Sequence, residues 1–233
     1  MKKIMLMAAM LVAVVSAKAQ FEPGTFSIQP KIGFSGATMT NIPNLHFGKQ
    51  FGADIKMDNT PIAGFVVGGE FEYQLTKRFS VAAGLGYSLQ GSGWEDYEIR
   101  DGSDYAKLKD ARIELGYLTV PVVANVYLFK GFALKAGVQL GMLTNAKVKA
   151  ATEMEIEGRK QSNDDSKDIK DRCNKMDVSI PVGVSYQFPG VPIVIDGRFN
   201  IGVTDVFKKE ELDGQKNSQN VVFQMTVGYK FAL

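Results

Sequence analysis

Val221-Val222-Phe223-Gln224-Met225-Thr226-Val227-Gly228-Tyr229-Lys230-Phe231-Ala232-Leu233 alternates without a break. In an extended chain successive side chains point to opposite faces. Val221, Phe223, Met225, Val227, Tyr229, Phe231 and Leu233 therefore share one face. Val222, Gln224, Thr226, Gly228 and Lys230 share the other. A terminal strand with a bulky apolar face, a small or polar face and aromatics near its end predicts the closing strand of a transmembrane β-barrel.

Seven further segments carry the same two-residue period: 25–36, 62–75, 79–91, about 112–128, 132–143, 177–188 and 192–206. In the fourth, Ile113, Leu115 and Tyr117 have one parity and Leu118, Val120, Val122, Val126 and Leu128 the other, which predicts a bulge near Tyr117 that flips the facing. The connections alternate in length. Thr76-Lys77-Arg78, Phe129-Lys130-Gly131 and Pro189-Gly190-Val191 read as tight turns, whereas 37–61, 92–111, 144–176 and 207–220 are long. Short turns at one end and long loops at the other describe an all-β, eight-stranded, antiparallel up-and-down barrel of the cell outer membrane, its long loops extracellular.

Volume decides which face meets lipid. An eight-stranded barrel has an interior just wide enough to be filled by side chains. The bulky set cannot fit there, and the set rich in Gly, Ser, Ala and Gln can. Lys31, Glu70, Glu72, Lys135, Asp196, Arg198 and Lys230 then share the lumen as a polar network, because charges out of water must be paired. Filling by such a network predicts negligible conductance. Phe26, Tyr73, Phe79, Phe132, Tyr186, Phe188, Tyr229 and Phe231 recur near the short turns and predict an aromatic girdle at the periplasmic interface.

Residues 1–19 read as a signal peptide: Lys2 and Lys3, the apolar run Ile4 to Val15, then Ala17-Lys18-Ala19. The barrel domain is expected over 20–233. The apolar run falls short of the ~20 residues that a spanning helix needs. Without Lys2, Lys3 and Lys18, 24 basic residues face 25 acidic ones, so nothing calls for nucleic acid. The single Cys173 excludes an internal disulfide.

Two hairpins are expected to outrun the bilayer, because the third segment's parity continues through Tyr97 and Ile99 and the fifth's through Val148, Ala150, Met154 and Ile156. Asp101-Gly102-Ser103-Asp104 should turn the first, and the region from Gly158 to Ser166 the second. A protruding edge could recruit a protein by strand addition. His46, the single histidine, is the one candidate for a triad, and it needs a distant Ser and acid to converge on it. No catalytic, cofactor-binding or metal-binding pattern is present, and no cofactor is expected.

Tyr117-Leu118-Thr119-Val120-Pro121-Val122 resembles the Y-L-x-[IV]-P strand of the PorT-like outer-membrane barrels of Bacteroidetes, which are Gram-negative, and Asp196-Gly197-Arg198-Phe199-Asn200-Ile201-Gly202 resembles their penultimate strand. The resemblance implies a small eight-stranded barrel, with one branch tied to secretion across the outer membrane, and it carries over no catalytic residue. The expectation is a monomeric, non-enzymatic structural or surface-interaction protein. Its partners would be outer-membrane lipid, the barrel-assembly machinery during biogenesis and an extracellular or secretion-system protein at the loops. The alternatives are a narrow pore or uptake barrel for small molecules, and a lipid-modifying enzyme using His46.

Overall fold

Bulky and small residues alternating along a chain leave one face that must leave water and one that can pack tightly, and closing the sheet removes its unpaired edges. The computed structural model describes residues 22–42, 46–47, 55–101, 104–156, 158–208 and 217–233, so the expected signal peptide lies outside the described residues. Eight long strands form one antiparallel meander: β1 (Phe26–Met39), β2 (Ile62–Gln74), β3 (Phe79–Trp94), β4 (Asp104–Phe129), β5 (Phe132–Ile156), β6 (Met176–Gln187), β7 (Ile193–Gly202) and β8 (Asn220–Tyr229). Each pairs with the next, and β8 returns to β1 with Lys31 opposite Gly228 and Phe34 opposite Met225. Beyond Lys230, Phe231 and Ala232 pair with Ile28 and Ser27, so the terminal segment is part of the seam. Gly33 permits the close approach there: a Cβ at this position would lie 1.9 Å from the Met225 carbonyl oxygen.

The bulky set faces outward. Phe34, Phe65, Leu85, Val122, Val138, Phe199 and Val227 are exposed, whereas Ser27, Gln29, Ser88, Gln139, Asn200 and Thr226 are buried. This exposed apolar belt is the surface that hydrocarbon covers.

Two expectations need correction, both in the long β4–β5 hairpin. The facing of β4 does not flip at Tyr117, because its register with β3 runs unbroken from Gly86–Thr119 to Gly93–Arg112. The extra residue is in the partner strand: Gly116 faces Asn145 and Tyr117 faces Leu143, leaving Thr144 bulged. The Thr144 hydroxyl donates to the Gly116 carbonyl at 2.8 Å. A second extra residue, at Asp110-Ala111 of β4, restores the register, and Asp110 adopts φ +52°. Ile113, Leu115 and Tyr117 therefore point inward, into an apolar core above the lumen. The second correction concerns the stretch expected to turn between Gly158 and Ser166. It is a strand, Arg159–Asp168, that folds back on Lys147–Ile156, with Arg159 already opposite Ile156. Gly158 takes φ +76°, which a residue without a Cβ adopts at little cost.

Candidate functional site: a lumen closed at two levels and a protruding sheet

Five of the seven charged residues assigned to the lumen meet in one group. Glu70 of β2 accepts from Lys31 Nζ (2.6 Å), Arg198 Nη2 (2.9 Å) and Lys135 Nζ (3.4 Å). Asp196 accepts from Lys135 Nζ at 2.5 Å, and from Arg198 Nε at 2.9 Å and Nη2 at 3.0 Å. Four strands, β1, β2, β5 and β7, are thereby tied through the middle of the barrel. The other two charges form a separate group nearer the short turns. Lys230 lies 2.8 Å from Glu72, whose Oε1 also accepts from Ser80 Oγ and Tyr127 Oη, both at 2.6 Å. Asn125 supports Ser80 at 2.9 Å. A guanidinium forked against a carboxylate fixes geometry as well as charge, so this cross-brace is rigid.

Tyr127, Ser80 and Asn125 were not singled out from the sequence. The signal was available, since Asn125 and Tyr127 have the parity opposite to Val126 and Leu128. Asp177 was missed too. It is buried at the upper end of β6, where its Oδ1 lies 3.3 Å from both Asn220 Nδ2 and Thr204 Oγ1, while Asn220 reaches toward Tyr117 Oη at 3.5 Å.

Above this level the interior turns apolar. Met39, Trp94, Leu115, Tyr117, Leu143 and Phe207 belong to one buried cluster with Met57, Ile113, Ala146, Ile169, Cys173 and Val206. Leu115, Ala146 and Cys173 have no exposed surface. Loop backbone seals the assembly: Asn174 Nδ2 donates to the carbonyls of Asp205 (2.9 Å) and Phe207 (3.0 Å), and Ile169 N donates to Ala146 O at 3.0 Å. Burying a side chain such as Leu or Phe contributes roughly 1.5–3 kcal/mol, so this cap is a folded element rather than a set of free loops.

Beyond the cap rises a four-stranded sheet, in spatial order Tyr97–Asp101, the start of β4, the end of β5 and Arg159–Asp168. Charges lace its surface. Lys109 Nζ lies 2.9 Å from Glu153, Glu114 receives Lys149 Nζ at 2.7 Å and Arg112 Nε at 2.8 Å, and Arg100 donates to Glu98. Partial burial would raise the Glu114 carboxyl, but Lys149 and Arg112 outweigh it and hold it below its usual value. Every residue of Arg159–Asp168 is exposed.

Of the eight aromatics assigned to a girdle, all at the short-turn end, Phe26 and Tyr73 have ring centroids 4.5 Å apart, Tyr186 meets Phe188 edge-on at 5.0 Å, and Tyr229 lies 6.2 Å from Phe231. Phe132 stacks on Phe129 at 4.8 Å, and Phe79 is exposed beside the Leu75–Phe79 turn. His46 pairs through its backbone with Lys56, and its side chain lies outside the described residues. Among the described residues, no three His, Cys, Asp or Glu side chains are grouped to hold a metal ion.

A closed eight-stranded meander with an apolar outer belt is a transmembrane barrel. The chain belongs to the outer membrane protein beta-barrel domain family, whose model matches residues 18–208, and it resides in the outer membrane. No curated protein matches it. Solved structures similar to it include Ail, the attachment invasion locus protein of Yersinia pestis (14% identity, 90% of this chain and 100% of that one, TM-score 0.40), and the outer membrane protein OprG of Pseudomonas aeruginosa (13%, 93% and 100%, 0.43). Neisserial surface protein A is a third (12%, 88% and 97%, 0.40).

Proposed function

We propose that this barrel is a non-enzymatic surface-interaction protein that works through its protruding sheet. The observation that carries this reading is the strand Arg159–Asp168: all ten residues are exposed, and among the described residues no strand pairs with its outer edge. An unpaired edge offers a row of backbone donors and acceptors to an extended partner segment. The interior supports the same reading, because a charged cross-brace below and an apolar cap above leave the work to the outside surface. A pore or uptake barrel would need a path past both. The strand motifs at Tyr117–Val122 and Asp196–Gly202 support placing the chain among the PorT-like barrels of Bacteroidetes.

The test is a photo-crosslinking amino acid at Ser162, the middle of the exposed strand, illuminated on intact cells. Discrete protein adducts are expected. If Ser162 gave none while a control position in the assembly pathway did, the protruding sheet would not be an interaction surface.

A further inference from the structure

The exposed strand reads Arg159-Lys160-Gln161-Ser162-Asn163-Asp164-Asp165-Ser166-Lys167-Asp168, basic at one end and acidic six residues on. Consider what a second copy of the same strand meets at this edge. In an antiparallel pair related by a two-fold axis perpendicular to the sheet, opposed side chains must share a face, so the two opposed residue numbers have the same parity.

Among the registers this permits, the one centred on Ser162 places Arg159 opposite Asp165 and Lys160 opposite Asp164, once on each side of the axis. Four opposite-charge pairs form, two on each face of the sheet, and no like charges meet. Shifting the centre to Asn163 opposes Arg159 to Lys167. Shifting it to Asp164 opposes that carboxylate to its own copy. Parallel, in-register pairing opposes Arg159, Lys160, Asp164 and Asp165 each to itself. The strand is thus complementary to itself in one antiparallel register.

The geometry of that register has a consequence for the membrane. β4 has 26 residues and β5 has 25, whereas about 9–11 cross the bilayer, so at ~3.3 Å per residue and the usual tilt the hairpin protrudes on the order of 30 Å. The sheet continues the barrel wall and contains the direction of the barrel axis. A two-fold perpendicular to it turns the second barrel upside down, so the two copies sit in membranes that face each other. Copies side by side in one membrane would need the parallel arrangement, which the charges oppose.

We propose that the Arg159–Asp168 edge pairs with the same edge of a second copy in an opposing outer membrane, joining two surfaces through a continuous eight-stranded sheet. This rests on the surface-interaction reading and names its partner. The pairs are solvent-exposed and individually weak, so the contact is salt-sensitive and depends on many copies acting together between two surfaces.

The test uses the full chain in phosphatidylcholine–phosphatidylglycerol vesicles, with clustering followed by light scattering. Wild-type vesicles should cluster at low ionic strength, several-fold less at about 0.5 M salt, where the Debye length has fallen to roughly 4 Å. Arg159→Glu/Lys160→Glu alone and Asp164→Lys/Asp165→Lys alone should each abolish clustering. Mixing the two variant populations should restore it, because all four opposite-charge pairs re-form, two with exchanged signs and two as in the wild type, and that rescue also shows that both variants fold. Arg159→Lys/Lys160→Arg should cluster like the wild type. Unaltered clustering by either charge-reversed variant alone, or no rescue in the mixture, overturns the proposal. If wild-type vesicles do not cluster while Ser162 on cells crosslinks to a different protein, self-pairing is wrong and the surface-interaction reading stands. If neither occurs, both fail.

Discussion

Arg198 Nη2 lies 2.9 Å from Glu70 Oε1, joining β7 to β2 through the lumen between residues 128 apart in the chain. Glu70 also receives Lys31 and Lys135, so one carboxylate answers three cations from three strands. Replacing it leaves those cations with Asp196 alone.

Glu70→Ala should therefore destabilise the barrel by about 3–5 kcal/mol, the cost of breaking a buried ionic group by removing one partner. Reversible urea unfolding in detergent or lipid checks this. A control at the exposed Glu95 should change stability by less than about 0.5 kcal/mol.

Leu115 sits in the apolar cap with no exposed surface, and Cys173 shares the cluster. Leu115→Ala should cost about 2–5 kcal/mol through the cavity it leaves. The loss falls on the cap rather than on the belt, so the Cys173 thiol, whose burial should shield it from maleimide in the wild type, should become reactive well below the urea concentration that unfolds the barrel. Mass spectrometry of labelled protein reads this directly. Equal labelling rates in the two proteins would mean that the cap is already open.

Glu114 is held below the usual carboxylate value of 4.5 by Lys149 and Arg112. A depressed folded-state value means that the carboxylate stabilises the protruding sheet fully above about pH 4.5, and that this is lost as pH falls through the folded value. Amide protection at 112–116 should decline below pH 4.5, and Glu114→Gln should remove the pH dependence. Hydrogen exchange across that range is the measurement.

The strand positions, the outward facing of the bulky residues and the closure of β8 on β1 were legible because all three follow from a two-residue period and from volume. Periodicity says which face a charge occupies, not its height along the barrel or its neighbour around it. The seven lumen charges therefore read as one set in the sequence, whereas the structure divides them into a group around Glu70 and a pair at Glu72, the latter completed by Tyr127 and Ser80. The cap was hidden for a different reason. Ile113, Leu115 and Tyr117 look like lipid-facing residues that have changed parity, and only the unbroken β3–β4 register shows that they point inward. The strand Arg159–Asp168 was hidden because its residues are polar on both faces and carry no alternation at all.

Single-channel recording in planar bilayers tests the central claim most directly, that the cylinder is sealed and its function lies outside. The wild-type chain should insert without conductance steps. Arg198→Ser/Lys31→Ser, which opens the brace but leaves the cap, should also be silent, and steps should emerge only when Leu115→Ser is added. Discrete, reproducible steps from the wild-type protein would contradict the account.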